Sequence, residues 1–393
     1  MKSESQEKSP RKPNVLERLF LDGTVGESPG LVPGVLFAVL LVVAVIWLTD
    51  AVNAALGFSG LISPILVVIL VGILIRNLLT IPAVCGPGIS FCLKKLLRLG
   101  IILMGIRLSI FDVLRIGGWG IPIVVVCVLG GLLISTCFGR LLKVSGRLST
   151  LIAVGTGICG ASAIVATAPG IEARDEEVTY AVANITVFGI LALIAYPFIA
   201  QVLFHGDITL IGLFTGTSIH ETAQVAASGL IYDQTFGVTA SPTAADIAVV
   251  TKLVRNTLMA LVIPAMTFVY ARRRGLTGSE ETGYRKVLKL FPVFILGFIL
   301  LAVVRSLGDA GLQETGRAFW LWSADGWRGV TGTFKDWSGY VLATAMAGVG
   351  LGTSFRSMKG LGIRPFIVGL GAAVTVGLVA IVMVLLLGPL VNV

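Results

Sequence analysis

Apolar stretches follow one another along almost the whole chain, each of about the 20 residues an α-helix needs to cross hydrocarbon. They fall near residues 34–50, 60–79, 96–114, 118–142, 149–171, 178–203, 208–231, 245–271, 288–308, 337–356 and 364–390. Lipid offers no hydrogen-bond partner, so each backbone amide and carbonyl in such a stretch must be satisfied within the protein, and helices do this locally. Charged residues are 13% of the 393, against roughly 25% in a soluble globule, and mean hydropathy is +0.95. The expected fold is an all-α polytopic membrane protein of about 11 transmembrane helices.

The net charge of +9 does not indicate a nucleic-acid partner, because the basic residues are segregated. Lys2, Lys8, Arg11, Lys12 and Arg18 precede the first stretch. Alternate loops then carry Arg76, Lys94, Lys95 and Arg98; Arg140, Lys143 and Arg147; Arg272, Arg273, Arg274, Arg285, Lys286 and Lys289; and Arg356, Lys359 and Arg364. By the positive-inside rule this gives a cytoplasmic N-terminus and an external C-terminus. The first stretch starts late and lacks a small-residue cleavage pattern, so it is expected to stay as an anchor rather than leave as a signal peptide. Five cysteines, several inside apolar stretches, indicate no disulfide framework, and no His/Cys spacing forms a metal site. Neither a cofactor nor a metal is expected. Without a P-loop, ATP-driven transport by this chain alone is disfavoured.

Two glycine-rich segments interrupt this pattern: GTGICGASAI at 155–164 and GVGLGTSFRS at 348–357. Paired interruptions in membrane helices point to a transporter's binding site. KLLRLGIILMG from Lys95 resembles KLVRNTLMALV from Lys252, and GILIRN from Gly72 matches GTSIHE from Gly216 in position. The chain accordingly divides into a cytoplasmic tail (1–33), an extra first helix (34–57) and two five-helix repeats (58–203 and 207–393). An odd number of helices per unit inverts the second repeat, so the two interrupted helices would cross from opposite sides, with half-helix N-termini facing an anion.

The candidate substrate-binding residues are Thr156, Gly157, Cys159, Gly160, Ala161 and Ser162 in the first segment and Gly350, Gly352, Thr353 and Ser354 in the second. The bland alternative is close helix packing through small residues. His220 and Glu221, costly to place in lipid, are candidates for proton coupling, or else for a packing hydrogen bond with Gln224. Lys252, Arg255 and Asn256, with Arg107, could supply a positive field, or snorkel to headgroups. Asn77 and Asn184 could line a cavity or join helices. EARDEE at 172–177 is expected as an outer loop, His205 in an inner turn, and Phe319, Trp320, Trp322 and Trp327 in an interfacial aromatic belt.

The motifs GTGICGASAIVATAPGIEARDEEVTYAVA, GTSIHETAQVAASG and KLVRN resemble the YeiH-type family of bacterial inner-membrane proteins, named as sulfate exporters, and the likeness runs from about residue 33 to near the end. The resemblance implies a secondary transporter of sulfate or a related small sulfur-containing anion, not an enzyme, with an inverted-repeat, crossed-helix fold. Its partners would be the anion, the lipid bilayer, a coupling proton or sodium ion, and a second copy in a homodimer. A cation/proton antiporter is the main rival, although TYAVANITVFG carries Asn184 where such antiporters carry aspartate. A non-transporting membrane scaffold is the other.

Overall fold

The computed structural model of the protein describes residues 29–55, 63–273, 293–354 and 363–391. The basic residues from Lys2 to Arg18, and Arg274, Arg285, Lys286, Lys289, Arg356 and Lys359, lie outside the described residues. Among the described residues there is no strand, only an isolated bridge between Ala318 and Trp322.

Polar caps decide where the helices begin. After α1 (Val32–Ala55), Ser63 accepts the Leu66 amide and opens α2 (Pro64–Leu78), with proline in the first turn, where its missing N–H leaves no bond unmade. The next run starts as α3 (Gly86–Phe91), loosens into a π-helical turn at Cys92–Leu96 and tightens into α4 (Leu97–Met104). Ser109 and Asp112 exchange bonds of 3.1 Å between backbone amide and side chain. This capping box starts α5 (Ile110–Leu141) well before residue 118, inside the stretch read as the third span. There follow α6 (Gly146–Gly157), α7 (Ala161–Thr167), α8 (Asp175–Phe204), α9 (Ile208–Ser218) and α10 (Thr222–Thr235). Next come α11 (Ala244–Thr257) and α12 (Met259–Arg273), bent by 40° at their junction. The last three are α13 (Phe294–Thr315), α14 (Ala324–Gly352) and α15 (Ile363–Leu387). Among the described residues five helices, α1, α5, α8, α13 and α15, are long and apolar enough to cross a membrane, and the bent pair α11–α12 makes a sixth.

Two apolar stretches read as spans do not traverse the bundle. Ser145, which caps α6, donates to Glu177 in the first turn of α8 at 2.7 Å. Leu148, early in α6, shares a buried cluster with Ala168 and Ile171 just beyond α7. The chain thus enters from one end, here called proximal, turns at residues 158–160 and leaves by the same end. From the opposite, distal end α9 and α10 repeat the device. Tyr232 near the end of α10 donates to Gln201 near the end of α8 at 2.6 Å, and the Phe236 ring meets Phe198 edge-on with centroids 6.2 Å apart. The turn of this second hairpin is Ile219–Glu221. Two half-length apolar helices folded back on each other present the same hydropathy as one full-length helix, which is why 149–171 and 208–231 read as crossings. The loops change ends as a result: residues 172–177 lie at the proximal end, beside Arg147 and Ser145, and His205 lies at the distal end, not the reverse.

The second glycine-rich segment is also corrected. α14 runs without interruption through Gly348 and Gly350 to Gly352 and stops at Thr353; residues 355–362 lie outside the described residues. Here the glycines permit close approach. A Cβ on Gly350 would stand 2.6 Å from the Ile69 carbonyl oxygen and 3.0 Å from Gly72 Cα, and one on Gly348 would lie 2.9 Å from Cys92 Cβ. Asn77 Nδ2 donates to the Thr353 carbonyl at 3.0 Å and ties the end of α14 to α2. Gly350→Val should therefore force α2 and α14 apart and cost about 1–3 kcal/mol. A Tm of the purified variant equal to that of the wild type would rule out so close a contact.

Candidate functional site

The two hairpin tips meet at α11. Along α9 and α11 the contacts run in step: a Cβ on Gly212 would meet Ile247, and one on Gly216 would meet Thr251. These helices are therefore parallel, and α9 reaches its last turn beside Lys252 and Arg255. α6 arrives from the proximal end and finishes at the same two side chains.

Each tip forms for a local reason. In the first, Gly155 and Gly157 weaken α6, and Gly160 takes φ +71° and ψ −130°, a conformation that L-residues avoid. Its amide returns to the Gly155 carbonyl at 3.0 Å. No glycine or proline sits at the second tip. Instead the Thr215, Thr217 and Ser218 hydroxyls donate to carbonyls one turn back, a pattern that strains a helix, and Ile219 and Glu221 are extended.

Both first halves end with carbonyls that have no helical partner, and α11 supplies the donors. Lys252 Nζ donates to the carbonyls of Ile158 (2.8 Å), Ile219 (2.9 Å) and His220. Arg255 donates to Gly157 (2.9 Å), Thr217 (2.6 Å), Ile219 (3.1 Å) and Thr156. Both side chains are 0% exposed. All three ammonium protons are committed, and four bonds use the guanidinium, so the pair acts on a ligand mainly through its field. Cations at helix C-termini also offset the negative ends of α6 and α9.

Glu221 links the tips directly. Its carboxyl group lies against the start of α7 at Gly160 and Ala161, with Thr186 on α8 and Lys252 beside it. A Cβ on Gly160 would lie 2.4 Å from Glu221 Cγ. Asn256 donates to the Thr222 hydroxyl at 3.0 Å. Three buried acceptors or donors here have no hydrogen-bond partner among the described residues: Thr156 Oγ1, His220 Nδ1 and Asn256 Oδ1. Ser162 is exposed, and Glu221 and Thr222 are half-buried, so the tips are reached from the side of α7 and α10. Cys159 is buried against Met259, with 3.4 Å between the sulfur atoms. Among the described residues no three His, Cys, Asp or Glu side chains form a metal-holding group.

The structure thus brings together Thr156, Gly157, Cys159, Gly160, Ala161, Ser162, His220, Glu221, Lys252, Arg255 and Asn256. It places Gly350, Gly352, Thr353 and Ser354 elsewhere, at the end of α14, where their nearest neighbours are Ile69, Gly72, Asn77 and Leu93. Arg107 is at the distal end, 3.3 Å from Asp246 in the first turn of α11. Asn184 joins α8 to α15 through the Pro365 carbonyl at 2.9 Å. Sequence reasoning missed Thr217, Ile219, Thr186 and Thr222. The hydroxyl-rich turn GTS, separated from the ionisable pair His220–Glu221 by Ile219 alone, was the available signal.

A helical bundle with several apolar helices and two opposed hairpins meeting on buried cations defines an integral membrane protein. The family model described as Conserved hypothetical protein 698 matches residues 33–369. A UPF0324 membrane protein of Corynebacterium glutamicum is 34% identical over 325 residues, covering 82% of this chain and 85% of that protein. Relatives of the same name from Bacillus anthracis (31%, covering 85% and 90%) and Pseudomonas aeruginosa (31%, covering 86% and 89%) are similar over comparable lengths. The chain belongs to this family of membrane proteins, to which the YeiH-type proteins also belong.

Proposed function

We propose that the protein is a secondary active transporter of the bacterial inner membrane that exports sulfate or a related small sulfur-containing anion, with movement coupled to a proton or sodium ion. The observation that carries this reading is the meeting of two hairpin tips, from opposite ends, on Lys252 and Arg255. Non-helical backbone at membrane depth is tolerated where it is buried in protein or lines a cavity, and paired discontinuous helices at mid-depth are the usual place for a transported ion. The anion is held by the hydroxyls of Ser162 and Thr222, the Asn256 side chain and amides at the tips, in the field of the two cations. A buried lysine and arginine at this point disfavour the cation antiporter.

In this reading the bundle makes nine membrane passes (α1, α2, α3–α4, α5, α8, α11–α12, α13, α14 and α15) with two re-entrant hairpins, in place of eleven simple spans. The proximal end, with Arg76, Lys94, Lys95, Arg140, Lys143, Arg147 and Arg174, is cytoplasmic. The N-terminus is then cytoplasmic and the C-terminus external. An inverted arrangement is supported by the opposite entry of the hairpins, rather than by the pairing of 155–164 with 348–357. The chain performs no catalysis itself and works as a homodimer.

The test is counterflow of labelled sulfate in vesicles containing the purified protein. Ser162→Leu fills the accessible side of the first tip without touching the buried cations, and should lower flux on the order of tenfold or more. Undiminished flux in a well-folded Ser162→Leu protein overturns the site. Absence of flux in the wild type favours the scaffold alternative.

A further inference from the structure

The charges at the tips suggest what accompanies the anion, an inference that rests on the transport reading above. Two breaks present four helix ends: the C-terminal ends of α6 and α9 and the N-terminal ends of α7 and α10. Their partial charges are opposite in pairs and cancel. What remains is side-chain charge. Lys252 and Arg255 are positive, and Glu221 is negative when ionised. The other titratable groups facing Glu221 are His220 on its own segment and Cys159 at the first tip, and Thr186 and Gln224 from the neighbouring helices are uncharged. Asp246 is paired with Arg107 at the distal end, and Asp233, also there, is occupied with the Ala244 and Ala245 amides.

With Glu221 ionised, the site carries one net positive charge. A monovalent anion then neutralises it, whereas a divalent anion leaves a net negative charge in a medium that penalises uncompensated charge. Protonation of Glu221 removes that excess. It also weakens the hold of the carboxyl group on its neighbours, the Ala161 amide and the Thr186 hydroxyl, which are then open to anion oxygens. Asn256 Oδ1, buried and without a hydrogen-bond partner among the described residues, stands beside Thr222 as an acceptor for any proton the ligand retains.

We propose that Glu221 takes up one proton from solvent for each divalent anion bound at the hairpin tips, and none for a monovalent anion. Divalent oxyanions therefore cross together with a proton on Glu221, and sodium has no part in the coupling.

Calorimetric titration of the purified protein in two buffers of different ionisation enthalpy counts protons taken up on binding. Sodium sulfate should bind with uptake of about one proton per site, and sodium nitrate with none. In Glu221→Gln, sulfate uptake of protons should vanish; Glu221→Asp, which keeps a titratable group, should retain it with weaker binding. Sulfate binding without proton uptake in the wild type, or uptake that persists in Glu221→Gln, overturns the proposal while leaving anion transport standing. Failure of folded wild-type protein to bind any anion overturns both.

Discussion

Arg255→Leu is expected to be the most damaging single substitution in the chain. The guanidinium donates to four carbonyls belonging to the ends of two helices that approach from opposite ends of the bundle, and it is fully buried. Leucine fills similar space but donates nothing. Each carbonyl left without a partner away from water costs about 1–3 kcal/mol, so the loss is on the order of 5 kcal/mol or more. That is comparable with the whole stability of many folded domains, about 5–15 kcal/mol. The purified variant should show a Tm lower by about 10 °C or more, or fail to give a monodisperse protein at all. Arg255→Lys keeps the charge but loses the planar fork that reaches both tips, and should fall between the two. A leucine variant within a degree or two of the wild type would show that neither tip depends on Arg255.

Part of this arrangement was readable from residues and part was not, and the division has a physical cause. Apolar stretches are visible because they meet a simple rule about what lipid tolerates, and the flexible turn at Gly155–Gly160 and the expensive pairs His220–Glu221 and Lys252–Arg255 because each breaks it. The hairpins are not visible. α6 with α7, and α9 with α10, fill a hydropathy window as well as one long helix does, and only contacts such as Ser145 with Glu177 and Tyr232 with Gln201 reveal the return. The second tip lacks glycine, and its backbone is held open by Lys252 and Arg255 from a different helix, so its local signal is confined to the hydroxyls of Thr217 and Ser218 ahead of His220 and Glu221. Conversely, Gly348 and Gly350 look like a flexible turn, yet they sit in a continuous helix, because small residues also serve close packing against α2 and the π-helical turn. The same residue type answers two demands, and only its surroundings separate them.

The second large effect concerns Gly160. Gly160→Ala should destabilise the protein and abolish anion flux together, for two separable reasons. Backbone strain comes first: φ +71° with ψ −130° is accessible to glycine but costs an L-residue about 1–3 kcal/mol. Collision comes second, since the new methyl group would stand 2.4 Å from Glu221 Cγ and 3.2 Å from its Oε1. Glu221 would have to move away from Gly160, and the two tips would lose their direct contact. A double-mutant cycle separates these reasons. Glu221→Ala removes the colliding atoms and leaves the backbone demand untouched, so Gly160→Ala should cost about 1–3 kcal/mol less on that background than on the wild type. A residual cost must remain, because the strain belongs to position 160 itself. An additive cycle would mean that the tips do not touch at this point and that only the turn requires glycine. Complete rescue by Glu221→Ala would mean the reverse, that the backbone can relax and the glycine is there to make room for the carboxylate.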